Sequence, residues 1–108
     1  MAAAKQWLAL VDAESYGKSW QEAAPLFKEA VKKGQWSQMM AAARKPFGKV
    51  ESRDLVSAKH TSSLPGAPDG EYVVIQFKVK FANKRDSVET IVPMKVDGVW
   101  RISGYFIK

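Results

Sequence analysis

The chain has no cysteine among its 108 residues and a single histidine, His60. That excludes disulfide frameworks, thiolate nucleophiles and Cys-type zinc sites together, and leaves one imidazole for any metal or acid–base role. No apolar run approaches the roughly 18 residues that cross a bilayer as a helix. The N-terminus lacks a basic stretch followed by an apolar one. It opens Met1-Ala2-Ala3-Ala4 and enters an amphipathic pattern almost at once, as a chain does when its signal segment is removed and a start Met added. Glycine-rich phosphate cradles, metal-ligand spacings and a Gly-x-Ser-x-Gly elbow are all missing. Neither a metal nor a cofactor is expected.

What is present suits one packed domain over residues 1–108: 46% hydrophobic, 11% aromatic and 26% charged residues, a composition unlike that of disordered chains. The net charge is +6, and its distribution is uneven. Between Pro25 and Lys49 stand six cations, Lys28, Lys32, Lys33, Arg44, Lys45 and Lys49, against Glu29 alone. The Arg clusters and interleaved exposed aromatics of a nucleic-acid groove are lacking there, which argues against nucleic acid as a partner and for a solvated polar face.

Periodicity divides the chain into a helical half, 2–47, and a sheet half, 50–108. From Ala2 to about Ser15, Trp7, Leu8, Leu10 and Val11 form a helical stripe. Ser19-Trp20-Gln21-Glu22 reads as a capping box opening a second helix, which Pro25 either kinks or restarts, with Leu26, Phe27, Ala30 and Val31 carrying the apolar face to Gly34. A third helix is predicted from about Gln35 to Lys45, burying Trp36, Met39, Met40 and Ala43, and ended by Pro46. After Gly48 the period becomes two. Val50–His60 is of mixed polarity and suits a sheet edge; Tyr72–Phe81, Val88–Val96 and Val99–Ile107 follow as three more strands. The fold expected is α+β, with about three N-terminal helices on one face of a twisted four-stranded antiparallel sheet.

In Tyr72–Phe81 the odd positions are apolar, whereas in Val88–Val96 the even ones are. Pairing Phe81 with Val88 puts both sets on one face and sets Lys80 opposite Glu89 on the other. A three-residue Val96-Asp97-Gly98 loop then adds Trp100, Ile102 and Phe106 to the apolar face, where a two-residue Asp97-Gly98 loop throws them onto the polar one. Burial of that face favours the longer loop. Phe77, Val79, Val92, Met94, Trp100, Ile102 and Phe106 are thus expected in one core with Trp7, Leu8, Trp36 and Met40.

On this register the polar face carries Lys78, Lys80, Glu89, Ile91, Arg101, Ser103 and Tyr105, with Tyr72 nearby. Glu89 between Lys80 and Tyr105 is either an anchoring or acid–base carboxylate or a simple cross-strand ion pair. His60 could meet Asp69 or Glu71 across the long loop, with Ser62 or Ser63 as nucleophile, but nothing frames those serines. The loop Thr61–Gly70 itself holds two turn signals, Pro65-Gly66 and Asp69-Gly70, and is expected to be ordered. A type II turn at Pro65-Gly66 would direct Leu64 inward and leave Asp69 at the rim beside Tyr72.

A longer set of residues carries a family resemblance: Trp7-Leu8-x-Leu10-x-Asp12-x-x-x-Tyr16-x-x-Ser19-Trp20, Trp36, Arg44-x-Pro46-x-Gly48, Arg53, Leu64-Pro65-Gly66-Ala67-Pro68-Asp69-Gly70-Glu71-Tyr72, Glu89-Thr90 and Asp97-Gly98-x-Trp100-Arg101-x-x-Gly104-Tyr105. In these the chain resembles a bacterial family of exported small proteins, the domain of unknown function DUF4019. The resemblance implies a periplasmic or cell-surface location and a trimmed N-terminus, and no activity. The helix-then-sheet order is also similar to cystatin-like and nuclear-transport-factor-like rolls, which host enzymes, binders and dimerisation modules alike.

With one histidine and no framed nucleophile, the sequence favours a non-enzymatic module binding a protein or a small ligand, through Leu64, Asp69, Tyr72, Lys80, Glu89, Arg101 or Tyr105. Two alternatives stay open: a ligand-binding or enzymatic roll around Glu89 and Tyr105, and a binder of anionic polymer or membrane headgroups through the basic helical half.

Overall fold

The computed structural model describes Met1–Lys108. Four helices, α1 (Ala2–Asp12), α2 (Tyr16–Gln21), α3 (Pro25–Ala30) and α4 (Lys33–Arg44), and a 3-10 turn (Lys45–Phe47) precede four strands, β1 (Val50–Thr61), β2 (Tyr72–Phe81), β3 (Lys84–Val96) and β4 (Val99–Ile107). The strands form one antiparallel sheet in the order β1-β2-β3-β4, which leaves β1 at an edge as its mixed polarity suggested. No helix is long and apolar enough to cross a membrane.

The helical layer departs from expectation where side chains chose tertiary partners over local ones. Ser19 does not cap a helix; it is fully buried inside α2, its hydroxyl donating to the Tyr16 carbonyl (2.6 Å) and accepting from Trp36 Nε1 (2.9 Å). Its carbonyl accepts from Trp7 Nε1 (2.8 Å), so one serine ties α1, α2 and α4 together. Pro25 starts α3 at its first turn, where a missing N–H costs nothing. The preceding Ala24 N–H donates to the Ile102 carbonyl of β4 (2.8 Å), docking this corner on the sheet edge. In α4 the buried stripe is Trp36, Met40 and Arg44, at i, i+4 and i+8. Met39, one position and 100° round the helix, is 58% exposed, so it does not join the core as its sequence spacing suggested.

The register of β3 is the main correction. β2 and β3 are joined by a tight Ala82-Asn83 turn that sets Phe81 opposite Lys84; one irregularity later Val79 faces Ser87 and Phe77 faces Glu89. Phe81 therefore does not pair with Val88. Odd residues of β3, Ser87, Glu89 and Ile91, turn inward, and Val88 is exposed. The next hairpin has the two-residue Asp97-Gly98 loop, with φ of 49° and 81° and Val96 opposite Val99, not the longer loop that burial arguments favoured. Two positive φ angles in succession match the twist of a hairpin. A register shift between Val92 and Pro93 then reverses the alternation along β4, so that Ile102 and Tyr105 are both buried while Phe106 is 64% exposed.

Trp7, Leu8, Phe27, Trp36 and Met40 pack against Ile75, Phe77, Val79, Phe81, Ile91, Ile102 and Tyr105. Of the core expected from periodicity, Phe77, Val79 and Ile102 stand where predicted. Val92 is buried but, by alternation with Ile91, lies on the other face, and Met94 and Trp100 are only half-buried.

The loop before β2 takes the turn geometry that its composition demands. Ala67 N–H donates to the Leu64 carbonyl (3.2 Å) across Pro65-Gly66, and Gly66 has a φ of 77°. Gly70 N–H reaches back to the Ser62 carbonyl (3.0 Å), and the buried Tyr72 donates its hydroxyl to the Pro68 carbonyl (2.6 Å). Nothing crowds a Cβ at Gly66, so only its backbone angle resists substitution. Gly66→Val is expected to lower unfolding free energy by about 1–2 kcal/mol and Gly66→Asn by clearly less, as measured by urea denaturation.

Candidate functional site

The inward turn of β3 carries a carboxylate into the core. Glu89 is wholly buried, opposite Phe77 and one strand from Tyr105. Its Oε1 accepts from Arg53 Nε of β1 (2.7 Å), and its Oε2 accepts from the Tyr105 hydroxyl in a short hydrogen bond and lies 3.9 Å from Arg44 Nη1. The two arginines also share Asp12 at the end of α1. Arg44 Nη2 donates to its Oδ1 (3.0 Å), and Arg53 clamps both oxygens, Nη1 to Oδ2 (2.9 Å) and Nη2 to Oδ1 (3.1 Å). A carboxylate at a helix C-terminus is disfavoured by the helix dipole; here two guanidinium groups offset it.

Two cations and two anions thus close on one another and on a phenol, joining α1, α4, β1, β3 and β4. Burial tends to raise the Asp12 carboxyl, but hydrogen bonds and charge from Arg53, then Arg44, hold it below the usual value of 3.8. Burial works against the Arg53 charge, yet Asp12 and Glu89 prevail and raise its affinity for the proton. Burial and then the Glu89 charge push the Tyr105 hydroxyl far above its ordinary 10.0, so it serves only as a donor. Chemically the cluster is closed: both oxygens of Glu89 are engaged and none of its surface reaches solvent, leaving no free base for a substrate proton.

A depressed carboxyl stabilises the folded state above its unfolded pKa, and that contribution disappears as pH falls through the lower folded value. Urea unfolding at pH 5 and pH 3 should show a steeper acid loss in the wild type than in Asp12→Asn, which lacks the titrating group.

The candidate residues scatter. Only Glu89 and Tyr105 come together, and inside the core instead of on the outer face. Lys80 faces Ser52 of β1 and stays exposed, so its expected pairing with Glu89 does not form. Arg101 is exposed and donates to the Glu22 carbonyl (3.4 Å). Leu64 is half-buried in its turn, Asp69 is exposed at the rim, and Tyr72 is taken up by the loop. The His60 ring meets the Trp100 ring edge to face, 5.8 Å between centroids, and engages neither Asp69 nor Glu71. Asp12, Arg44 and Arg53, which complete the cluster, went unrecognised as site residues, because polar residues on separate elements have no local signature.

Beside the cluster lies a half-open cavity of about 560 Å³ between the α1–α2 corner, with Asp12, Glu14 and Tyr16, and the α4–β1 corner, with Arg44, Lys45 and Lys49. A second, of about 350 Å³, lies between α1 and the start of β4, against Trp7, Leu10 and Trp100.

Comparison with curated proteins returns no match. Residues 3–105 match the family described as a protein of unknown function (DUF4019), a span that takes in Asp12, Arg44, Arg53, Glu89 and Tyr105, the first three strands and β4 up to Tyr105. The chain belongs to the DUF4019 family.

Proposed function

We propose that this domain is a non-enzymatic binding module of the bacterial cell envelope. The observation that carries the reading is the closure of the Glu89 cluster: the one acidic group placed to do acid–base work is shielded and fully engaged. Its role is to lock helices to sheet, and a rigid scaffold of this kind presents loops and corners for recognition. The helix-then-meander order supports a likeness to cystatin-like and nuclear-transport-factor-like rolls as part of this reading. The envelope location rests on the exported character implied by the family resemblance, and fractionation of the source cell checks it.

Binding and catalysis separate in one comparison. Immobilised wild-type and Glu89→Gln chains are exposed to an envelope extract, at a temperature where both are folded, and retained molecules are identified by mass spectrometry. The expected result is the same ligand, unaltered, on both. A ligand converted to product by the wild type, or lost from a folded Glu89→Gln chain, overturns the reading.

A further inference from the structure

The cavity beside the cluster is built from two corners that are held in unusual backbone conformations. Helix α1 ends with Ser15 N–H on the Leu10 carbonyl and Glu14 N–H on that of Val11, the pattern that usually places glycine in the left-handed position; here Glu14 occupies it, with a φ of 62°. Glu14 stands at the cavity rim at the expense of local strain. Across from it, Gly48 has a φ of 78° and a Cβ there would lie 3.1–3.2 Å from Asn83 and Ala82. Backbone bonds from Ala82 N–H to the Lys49 carbonyl and from Asn83 N–H to the Phe47 carbonyl, each 2.8 Å, pin that corner to the β2–β3 turn. Both walls are therefore preorganised.

The lining has unspent positive charge. Asp12 is neutralised by Arg44 and Arg53, whereas Lys45 and Lys49 are exposed and form no ion pair. Arg44, only 6% exposed, has its charge met by Asp12 and by Glu89, 3.9 Å from its Nη1, and its guanidinium lies over the Phe81 ring. Its Nε and Nη1 are buried, so Arg44 forms part of the cavity wall while the accessible cations are Lys45 and Lys49. Tyr16, half-buried at the same wall, packs its ring against the core, and its hydroxyl makes no hydrogen bond. Opposing these donors is one free carboxylate, Glu14 at the rim. Val11 and Val50 give the cavity apolar surface, and its volume is that of a small-molecule site.

We propose that this cavity binds a small organic anion, its carboxylate or phosphate group held by Lys45, Lys49 and the Tyr16 hydroxyl beside Arg44, and its apolar part against Val11 and Val50. The proposal rests on the binding-module reading and gives that module a ligand class. Glu14, the only uncompensated negative charge at the rim, limits affinity, so replacing it with glycine both relieves the backbone and strengthens binding.

The test is a titration of the full 108-residue chain, followed by amide ¹H–¹⁵N spectra at fixed ionic strength, with inorganic phosphate, phenyl phosphate and benzoate as probes. Saturable shifts are expected at Tyr16, Arg44, Lys45 and Lys49. Phenyl phosphate binding more tightly than inorganic phosphate places the apolar part; the ranking of phenyl phosphate and benzoate assigns the headgroup. Lys45→Ala/Lys49→Ala should weaken binding about tenfold or more, whereas Lys78→Ala/Lys80→Ala, with the same change in net charge on the outer sheet face, should leave it within about twofold. Glu14→Gly should tighten it, and melting curves confirm that each variant is folded. Equal losses from the two lysine pairs would mean diffuse screening and overturn the site. Saturable shifts confined elsewhere, or none with any probe, also overturn it; the binding-module reading falls only if the extract experiment fails as well.

Discussion

Glu89→Ala should cost about 3–5 kcal/mol of folding stability, as is usual when one partner of a buried ion cluster is removed. The carboxylate itself is not what makes the loss large. Its absence leaves the Arg53 Nε, the Tyr105 hydroxyl and the Arg44 guanidinium facing an interior in which only Asp12 remains to balance two positive charges. A domain of this size is stable by only about 5–15 kcal/mol, so the variant should melt on the order of 15–30 °C lower than the wild type. Glu89→Gln, which keeps an acceptor for Tyr105 while discarding the charge, should lose less. Tyr105→Phe, which removes a single donor and opens no cavity, should lose about 1.5–3 kcal/mol. Urea denaturation of the three variants checks the order Glu89→Ala, then Glu89→Gln; similar small losses for both would mean that the cluster is not electrostatically coupled.

A loss of comparable size is expected from Trp36→Ala, by a different mechanism. Trp36 sits at the centre of the aromatic group, edge-on to Phe27 (4.8 Å between centroids) and to Tyr105 (6.2 Å), and 5.8 Å from Trp7. Truncation opens a cavity that three rigid aromatic side chains and a sheet cannot close, at about 3–5 kcal/mol. It also removes the indole donor to the Ser19 hydroxyl, though that hydroxyl keeps its own acceptor at Tyr16. Trp36→Phe retains most of the ring contact, so it isolates the hydrogen bond together with the smaller volume, and should lose roughly half as much. Denaturation midpoints with unchanged slope are the readout, since the slope reports the surface exposed on unfolding.

These two residues mark what could and could not be read in one dimension. Trp36 was legible because Met39, Met40 and Ala43 follow it at i+3, i+4 and i+7, the helical period, and a large aromatic on such a stripe has no other place to go. Glu89 was read onto the outer face, because alternation in Val88–Val96 favours the even, apolar positions. Alternation ranks one strand's faces by hydropathy alone; it does not count a salt-bridged network reaching the covered face from three other elements. Arg53, Arg44 and Asp12 make the inward position of Glu89 tolerable, and they lie 36, 45 and 77 residues away in sequence. The signal available was indirect: all five cluster members stand among the residues that carry the family resemblance, scattered as single polar letters with no spacing of their own.

The sequence by itself determined the helical and sheet halves, the bounds of β2 and β4, the edge position of β1 and the left-handed glycine of the Pro65-Gly66 turn. Each follows from local chemistry: a period, a proline, a residue that alone accepts a given backbone angle. Tertiary structure decided the register of β3, the reversal of alternation in β4, the buried role of Ser19 and the charged cluster with its adjoining cavity. In those cases the competing local arrangements differ by about a kilocalorie, within the spread of turn and capping preferences, and the choice fell to the partners that only the folded chain brings within reach.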